Sequence, residues 1–157
     1  MQLKMVALHL LAFCSVSLHA QKPEELRKKE FNFGENGLSL QGYDAVSYFT
    51  KRKAVKGSKQ YAVSYQGALY YFSLAENKAL FLANPAQYEP QYGGWCAYAM
   101  GATGEKVEVD PETFKVVNGK LFLFYHSWVN NTLLKWNKDE GNLHAKADVN
   151  WQKFYRP

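Results

Sequence analysis

Residues 61–84, YAVSYQGALYYFSLAENKALFLAN, change period partway through, and that change decides the fold. Up to Phe72 the residues are aromatic and β-branched, types that suit a half-buried pleated surface. Two strands are predicted, Tyr61–Tyr65 and Ala68–Phe72, turned at Gln66-Gly67. From Ser73 the pattern becomes helical. Glu76 stands three residues after Ser73 and would complete a capping box that satisfies otherwise orphaned amides. Leu74, Asn77 and Phe81 then share one helix face with Leu80 beside them, and Pro85 ends the run. The unit is strand, strand, helix.

Downstream the unit recurs in outline. DPETFKVVNGKLFLFY (110–125) is a second hairpin turned at Asn118-Gly119, a strong two-residue turn signal. QGALYYF and NGKLFLF share a turn glycine, a spacer, an aliphatic residue, an aromatic and a final Phe, so the chain reads as a degenerate two-fold repeat. Helical residues Leu133, Leu134 and Trp136 follow. A last helix carries Leu143, Ala147, Trp151 and Phe154 as an apolar stripe that closes the core. Between the two hairpins a short helix is expected from about Gly94 to Met100. Upstream, GYDAVSYFT (42–50) reads as a short strand with Val46 and Tyr48 on one face. The predicted class is α+β: small antiparallel β-hairpins packed with short helices in a single domain over residues 37–157.

The N-terminus is of another kind. MQLKMVALHLLAFCSVSLHA (1–20) has a lysine near its start, an apolar run too short for a comfortable membrane span, and Ala20 before a sharply polar stretch. That is the layout of a signal peptide cleaved near Ala20, and it predicts an extracytoplasmic protein, periplasmic or secreted, with no transmembrane span after processing. Residues 21–36 are charged and broken by Pro23 and glycines, which reads as a flexible lead-in. The full chain carries a net charge of +5, which falls by one when Lys4 leaves. The basic excess lies in Arg27–Lys29 and Lys51–Lys59, without interleaved aromatics on a repeating spacing, so these runs read as solvated loops and no nucleic-acid partner is expected.

Processing also removes Cys14, His9 and His19, leaving Cys96, His126 and His144. A single thiol cannot form an internal disulfide. Three readings of Cys96 stand side by side. It can be a small apolar core residue among Trp95, Ala97 and Ala99, a metal ligand with His126 and Asp44, or a nucleophile activated by His126. There is no phosphate-binding glycine loop, no G-x-S-x-G, no H-E-x-x-H and no CxxC. Tyrosine is abundant, and its polar tip must be hydrogen-bonded or wet. Tyr43, Tyr71, Tyr92, Trp95 and Tyr125 are therefore candidates to line a ligand pocket.

GYDAVSYF (42–49), the block YQGALYYFSLAENKALFLANPAQYEPQYGGWCAYAM (65–100), DPETFKVVNGKLFLFY and KADVNW (146–151) resemble the secreted, stand-alone branch of the YHS-domain family. The resemblance implies a small α+β fold and no known reaction. The wider family implies metal binding through Asp-Pro-Val-Cys-Gly-Met followed by Phe-Cys-Ser-x-x-Cys, whose thiolates suit copper or zinc. Laid on this chain, the three cysteines fall on Ser47, Ser73 and Asn77, none of which can replace a thiolate. The expected role is non-catalytic binding of a metal ion or small ligand. The alternatives are a thiol-dependent or metal-assisted enzyme using Cys96 and His126, and a partner-docking structural domain. The oligomeric state stays open.

Overall fold

The computed structural model describes residues 21–156; the expected signal segment 1–20 lies outside the described residues. In chain order the helices are α1 (Gln21–Glu30), α2 (Ser47–Thr50), α3 (Ala75–Ala83), α4 (Pro85–Tyr88), α5 (Ala97–Ala102), α6 (Thr132–Trp136) and α7 (Glu140–Trp151). The strands are β1 (Ser58–Tyr65), β2 (Ala68–Phe72), β3 (Asp110–Val117), β4 (Lys120–Phe124), β5 (His126–Ser127) and β6 (Asn130–Asn131). The strands pair as three antiparallel two-stranded sheets, β1 with β2, β3 with β4 and β5 with β6. The class is α+β in a single domain.

The two long hairpins are built alike. Each sets an eight-residue strand against a five-residue one. Both turns need left-handed backbone at two successive residues, Gln66 and Gly67 (φ 45° and 80°) and Asn118 and Gly119 (φ 51° and 71°). That is the twist a two-residue hairpin turn demands, and glycine supplies half of it without strain. The register also slips at the same place in each: Ser58 pairs with Phe72 and Ala62 with Tyr71, as Asp110 pairs with Phe124 and Phe114 with Leu123. The repeat seen in the letters is a repeat in hydrogen bonding.

β4 divides the interior. Leu121 and Leu123 face one core with Val46, Tyr48, Tyr70, Phe72 and Phe81. Phe122 and Phe124 face the other, with Met100, Trp136, Leu143 and Ala147. Successive strand residues point to opposite faces, so a strand buried on both sides must be apolar throughout, as LFLF is.

Three local expectations are corrected. GYDAVSYFT is not a strand: Asp44 accepts the backbone amides of Val46 and Ser47 at 2.9 and 3.2 Å, and the fastened turn leads into α2. Ser73 does not cap α3, which begins at Ala75 with no side-chain cap; its hydroxyl goes to Asp44 instead. Asn77 and Phe81 are buried, while Leu74 and Leu80 stay exposed. The expected helix from Gly94 to Met100 is a 3₁₀ turn at Gln91–Gly94 followed by α5.

Residues 21–30, read as a loose lead-in, form α1, because the charges that looked solvated have distant partners. Arg27 pairs with Glu89, and Glu30 with Lys106. Trp95 donates its indole N–H to the Glu30 carbonyl at 2.7 Å. Of the basic run Lys51–Lys59, expected as a solvated loop, Lys51–Lys53 is exposed loop, whereas Ser58 and Lys59 begin β1.

Candidate functional site

Three places bring chemically capable side chains together. The first is centred on Asp44, which is fully buried. Its Oδ1 holds the turn into α2. Its Oδ2 accepts the Ser73 amide at 2.7 Å, the Ser73 hydroxyl at 2.6 Å and the Asn77 side-chain amide at 2.7 Å. Asn77 Nδ2 also lies 3.2 Å from Ser47 Oγ, and Ser47 Oγ lies 3.5 Å from Ser73 Oγ.

Ser47, Ser73 and Asn77, 26 to 30 residues apart except for the single helical turn between the last two, thus meet around one carboxylate. Burial pushes the Asp44 carboxyl up. Hydrogen bonds from Asn77, Ser73 and Ser47 outweigh that push and hold it below the usual carboxylate range.

The donor set does not fit copper or zinc. It offers two neutral hydroxyls, one amide and one carboxylate whose oxygens are already saturated, where a soft ion would want thiolate or imidazole. The arrangement can hold α2, the first hairpin and α3 in register.

The second place is the end of the second hairpin. Asp110 accepts the Glu112 amide at 3.0 Å and the Thr113 hydroxyl at 2.9 Å. His126 Nδ1 stands 3.1 Å from Thr113 Oγ1 and 3.4 Å from Asp110 Oδ2, with its side chain 43% exposed. Cys96 does not join it. The Cys96 thiol is fully buried, accepts the Tyr125 amide at 3.3 Å and lies 3.4 Å from Thr132 Oγ1. Because the Thr132 hydroxyl donates to the Tyr125 carbonyl at 2.7 Å, it is free to accept from the thiol. Cys96 therefore ties the start of α5 to the end of β4. Among the described residues there is no group of three or more His, Cys, Asp or Glu side chains able to hold a metal ion, so Cys96, His126 and Asp44 are not gathered into one centre.

The third place is a cleft of about 630 Å³ where α1, the β1–β2 turn, the 3₁₀ turn and the end of α7 meet. Its aromatic surface comes from Phe31, Tyr65, Tyr92, Trp151 and Tyr155. Glycine is required at its floor: Gly93 has φ +60°, and a Cβ there would stand 2.7 Å from Trp151 and 3.0 Å from Phe31. Arg27 and Glu89 form a buried pair in the wall, with Arg27 Nη1 at 3.3 Å from Glu89 Oε2 and the Tyr70 hydroxyl donating to Glu89 at 2.6 Å. Tyr92 donates to Asp148 at 3.0 Å, and burial together with that carboxylate pushes its phenol far up, so it stays protonated.

Of the five aromatic candidates named from sequence, Tyr92 alone lines this cleft. Tyr43 donates to Glu112 at 2.9 Å under the Lys56 ammonium, Tyr71 packs on Gly57, Trp95 is held by Glu30, and the Tyr125 backbone serves Cys96 and Thr132. Phe31, Trp151 and Tyr155 were not singled out for the cleft by sequence. Their only signal was the clustering of aromatics in FNF (31–33) and WQKFY (151–155) at the two ends of the chain.

Two hairpin units whose cores meet at β4, with a buried hydrogen-bonded carboxylate and a mixed aromatic and polar cleft, make up a small α+β domain. Residues 46–92 match the family model of the YHS domain. That is a metal-associated family, and the matched segment includes Ser47, Ser73 and Asn77. Comparisons with the curated proteins and with the solved structures found no match. Among the described residues no helix is long and apolar enough to cross a membrane.

Proposed function

We propose that this protein is an extracytoplasmic, non-catalytic binding domain that holds a small molecule in the cleft beside α7. In this account the Asp44 cluster is the structural successor to a thiolate metal site. The observation that carries the proposal is the contrast between the two places. The positions corresponding to the family's thiolates are occupied by a hydrogen-bond network in which both Asp44 oxygens already accept bonds from protein. The cleft instead offers aromatic faces, backbone brought close at Gly93, and fixed polar groups, in a volume within the ordinary range of about 300–1,000 Å³ for small-ligand sites.

A thiol enzyme is disfavoured by geometry. Cys96 is buried and hydrogen-bonded to Tyr125 and Thr132, while the His126 ring is engaged by Thr113 and Asp110. The proposal is tested by screening small molecules for a rise in melting temperature and mapping the binders by amide chemical shifts. A binder that perturbs Tyr92 and Gly93 and is recovered unaltered after incubation is expected. Binders confined to the Asp44 cluster, or converted to product, would refute it. Mass spectrometry of the protein from its own host should find a mature N-terminus near Gln21.

One observation favours the partner-docking alternative. The tip between β5 and β6 presents Trp128 98% exposed and Val129 87% exposed, a large apolar pair without a cover among the described residues. A photoreactive residue in place of Trp128 tests it: a single specific adduct in the native compartment supports docking there, and none removes it.

A further inference from the structure

The shortest hairpin has the least expected turn. Ser127 pairs with Asn130, so β5 and β6 are joined by Trp128-Val129 alone. The two long hairpins fill the same place with Gln66-Gly67 and Asn118-Gly119, whose positive φ the turn uses. Neither Trp128 nor Val129 has positive φ, and neither is a residue that turn chemistry favours, so no backbone demand selects them. Packing does not select them either. Among the described residues Trp128 is the one aromatic side chain that stands exposed, since every other Phe, Tyr and Trp is at least partly buried. Leu134, exposed on the helix α6 that follows β6 directly, adds a third apolar side chain.

We infer that this tip enters the interfacial layer of a lipid bilayer and holds the protein against an anionic membrane surface. Tryptophan suits that layer because its ring is apolar and its indole N–H needs a wet partner, and it concentrates where hydrocarbon meets headgroups. The shape of the tip favours a bilayer over a protein. Three apolar side chains on a protruding turn fall short of the roughly 800 Å² that each side of a stable protein interface buries, whereas a fluid layer closes around a narrow tip without needing a matching surface.

Charge favours anionic lipid. From Thr113 to Lys138 the sequence has four lysines, Lys115, Lys120, Lys135 and Lys138, and no Asp or Glu. Lys115 is paired with Glu140. Lys135 and Lys138, on α6 and just beyond it, are exposed and follow the apolar tip in the chain, as cations follow a membrane-seated segment. The carboxylates bordering this stretch are engaged within the protein, Asp110 by Thr113, Glu112 by Tyr43 and Asp139 by Asn142. The whole chain is also cationic, at +5. Apolar area and electrostatic attraction add in such binding, so the tip and the lysines act together.

The test is co-sedimentation of the purified protein with vesicles of phosphatidylcholine alone and of phosphatidylcholine mixed with phosphatidylglycerol. Trp128→Ser/Val129→Ser and Lys135→Gln/Lys138→Gln are run alongside; all four side chains are exposed, so the fold is retained, and an unchanged urea midpoint verifies it. The wild type is expected to sediment with the anionic vesicles and to shift its tryptophan emission to the blue. The tip variant should bind more weakly by about tenfold or more and lose the shift, because it removes the apolar side chains that enter the bilayer. The lysine variant should lose the preference for anionic vesicles. No sedimentation with either vesicle, or binding untouched by the tip variant, would overturn the assignment, and an anionic preference that survives in the lysine variant would overturn its electrostatic half. A photoreactive residue at position 128 separates lipid from protein: an adduct with lipid supports the inference, and a single protein adduct overturns it in favour of partner docking. The cleft proposal stands or falls separately from all of these outcomes.

Discussion

Asp44 and Asp110 begin with the same local chemistry and end in different roles. Each opens an Asp-x-x-Ser/Thr turn, accepting the amide two residues on and a group of the residue three on: the Ser47 amide in one case, the Thr113 hydroxyl in the other. After the hairpin that follows, the chain returns to each carboxylate, with Ser73 and Asn77 at Asp44 and with His126 at Asp110. The difference is burial. Asp44 has no exposed surface, whereas the Asp110 and His126 side chains are 34% and 43% exposed. A buried charge must be hydrogen-bonded at every acceptor or it neutralises, while an exposed one can rely on water. The same turn is a structural keystone inside the first unit and an adjustable surface feature on the second.

The sharpest way to break this comparison is to delete each carboxylate. Asp44→Ala strands the buried donors of Ser47, Ser73 and Asn77 and is expected to cost about 3–5 kcal/mol, the range for breaking a buried charged network. Asp110→Ala should cost within about 1 kcal/mol, as exposed pairs do. Urea unfolding measures both, and equal losses would erase the distinction.

Opposite in sign, and larger, is a gain. Ser47→Cys/Ser73→Cys/Asn77→Cys places three thiols where the present side-chain atoms lie 3.2–3.5 Å apart, with Asp44 as a fourth donor. This variant is expected to bind one zinc ion with a free energy on the order of 10 kcal/mol, as compact thiolate sites do. Three cysteines at Thr113, His126 and Ser127 should not.

Acid sharpens the contrast further. The Asp44 pKa is lower folded than unfolded, so its stabilisation is complete above the unfolded carboxyl value near 4 and is lost as pH falls through the lower folded value. Glu30 and Glu140 are lowered too, by Lys106 and Lys115 respectively, so the difference between wild type and Asp44→Asn isolates the one group. The urea midpoint difference should shrink below about pH 4. An effect well below that of Asp44→Ala is expected at Cys96. Cys96→Ala should cost about 1–2 kcal/mol, from a lost small side chain and a weak hydrogen bond. Alkylation of the native thiol should follow the opening rate of the fold.

The hairpins were legible because their turns announce themselves locally: Gln66-Gly67 and Asn118-Gly119 need left-handed backbone, and the flanking residues are strand formers. The division of the core by β4 was readable in LFLF, an unbroken apolar run. What sequence reading missed were polar side chains whose partners are distant. Ser73 has the letters of a helix cap, but Asp44, 29 residues earlier, takes its hydroxyl. Arg27 and Glu30 look like solvated charge until Glu89 and Lys106, 62 and 76 residues away, close on them. Asp44 was read only as a candidate metal ligand with Cys96 and His126; its role as the acceptor that gathers Ser47, Ser73 and Asn77 was not legible, because those partners lie up to 33 residues away. The cleft was not, because Phe31 and Trp151 come from opposite ends of the chain and only the fold sets them 5.5 Å apart.

The most direct test of the claim that a carboxylate network stands where the family holds metal is a titration of the wild-type protein with Zn(II) and with Cu(I), followed at the amides of Asp44, Ser47, Ser73 and Asn77. The account predicts that these four resonances stay where they are through one equivalent of either ion. A saturable one-to-one shift at these positions would contradict it and return metal binding to the first hairpin unit.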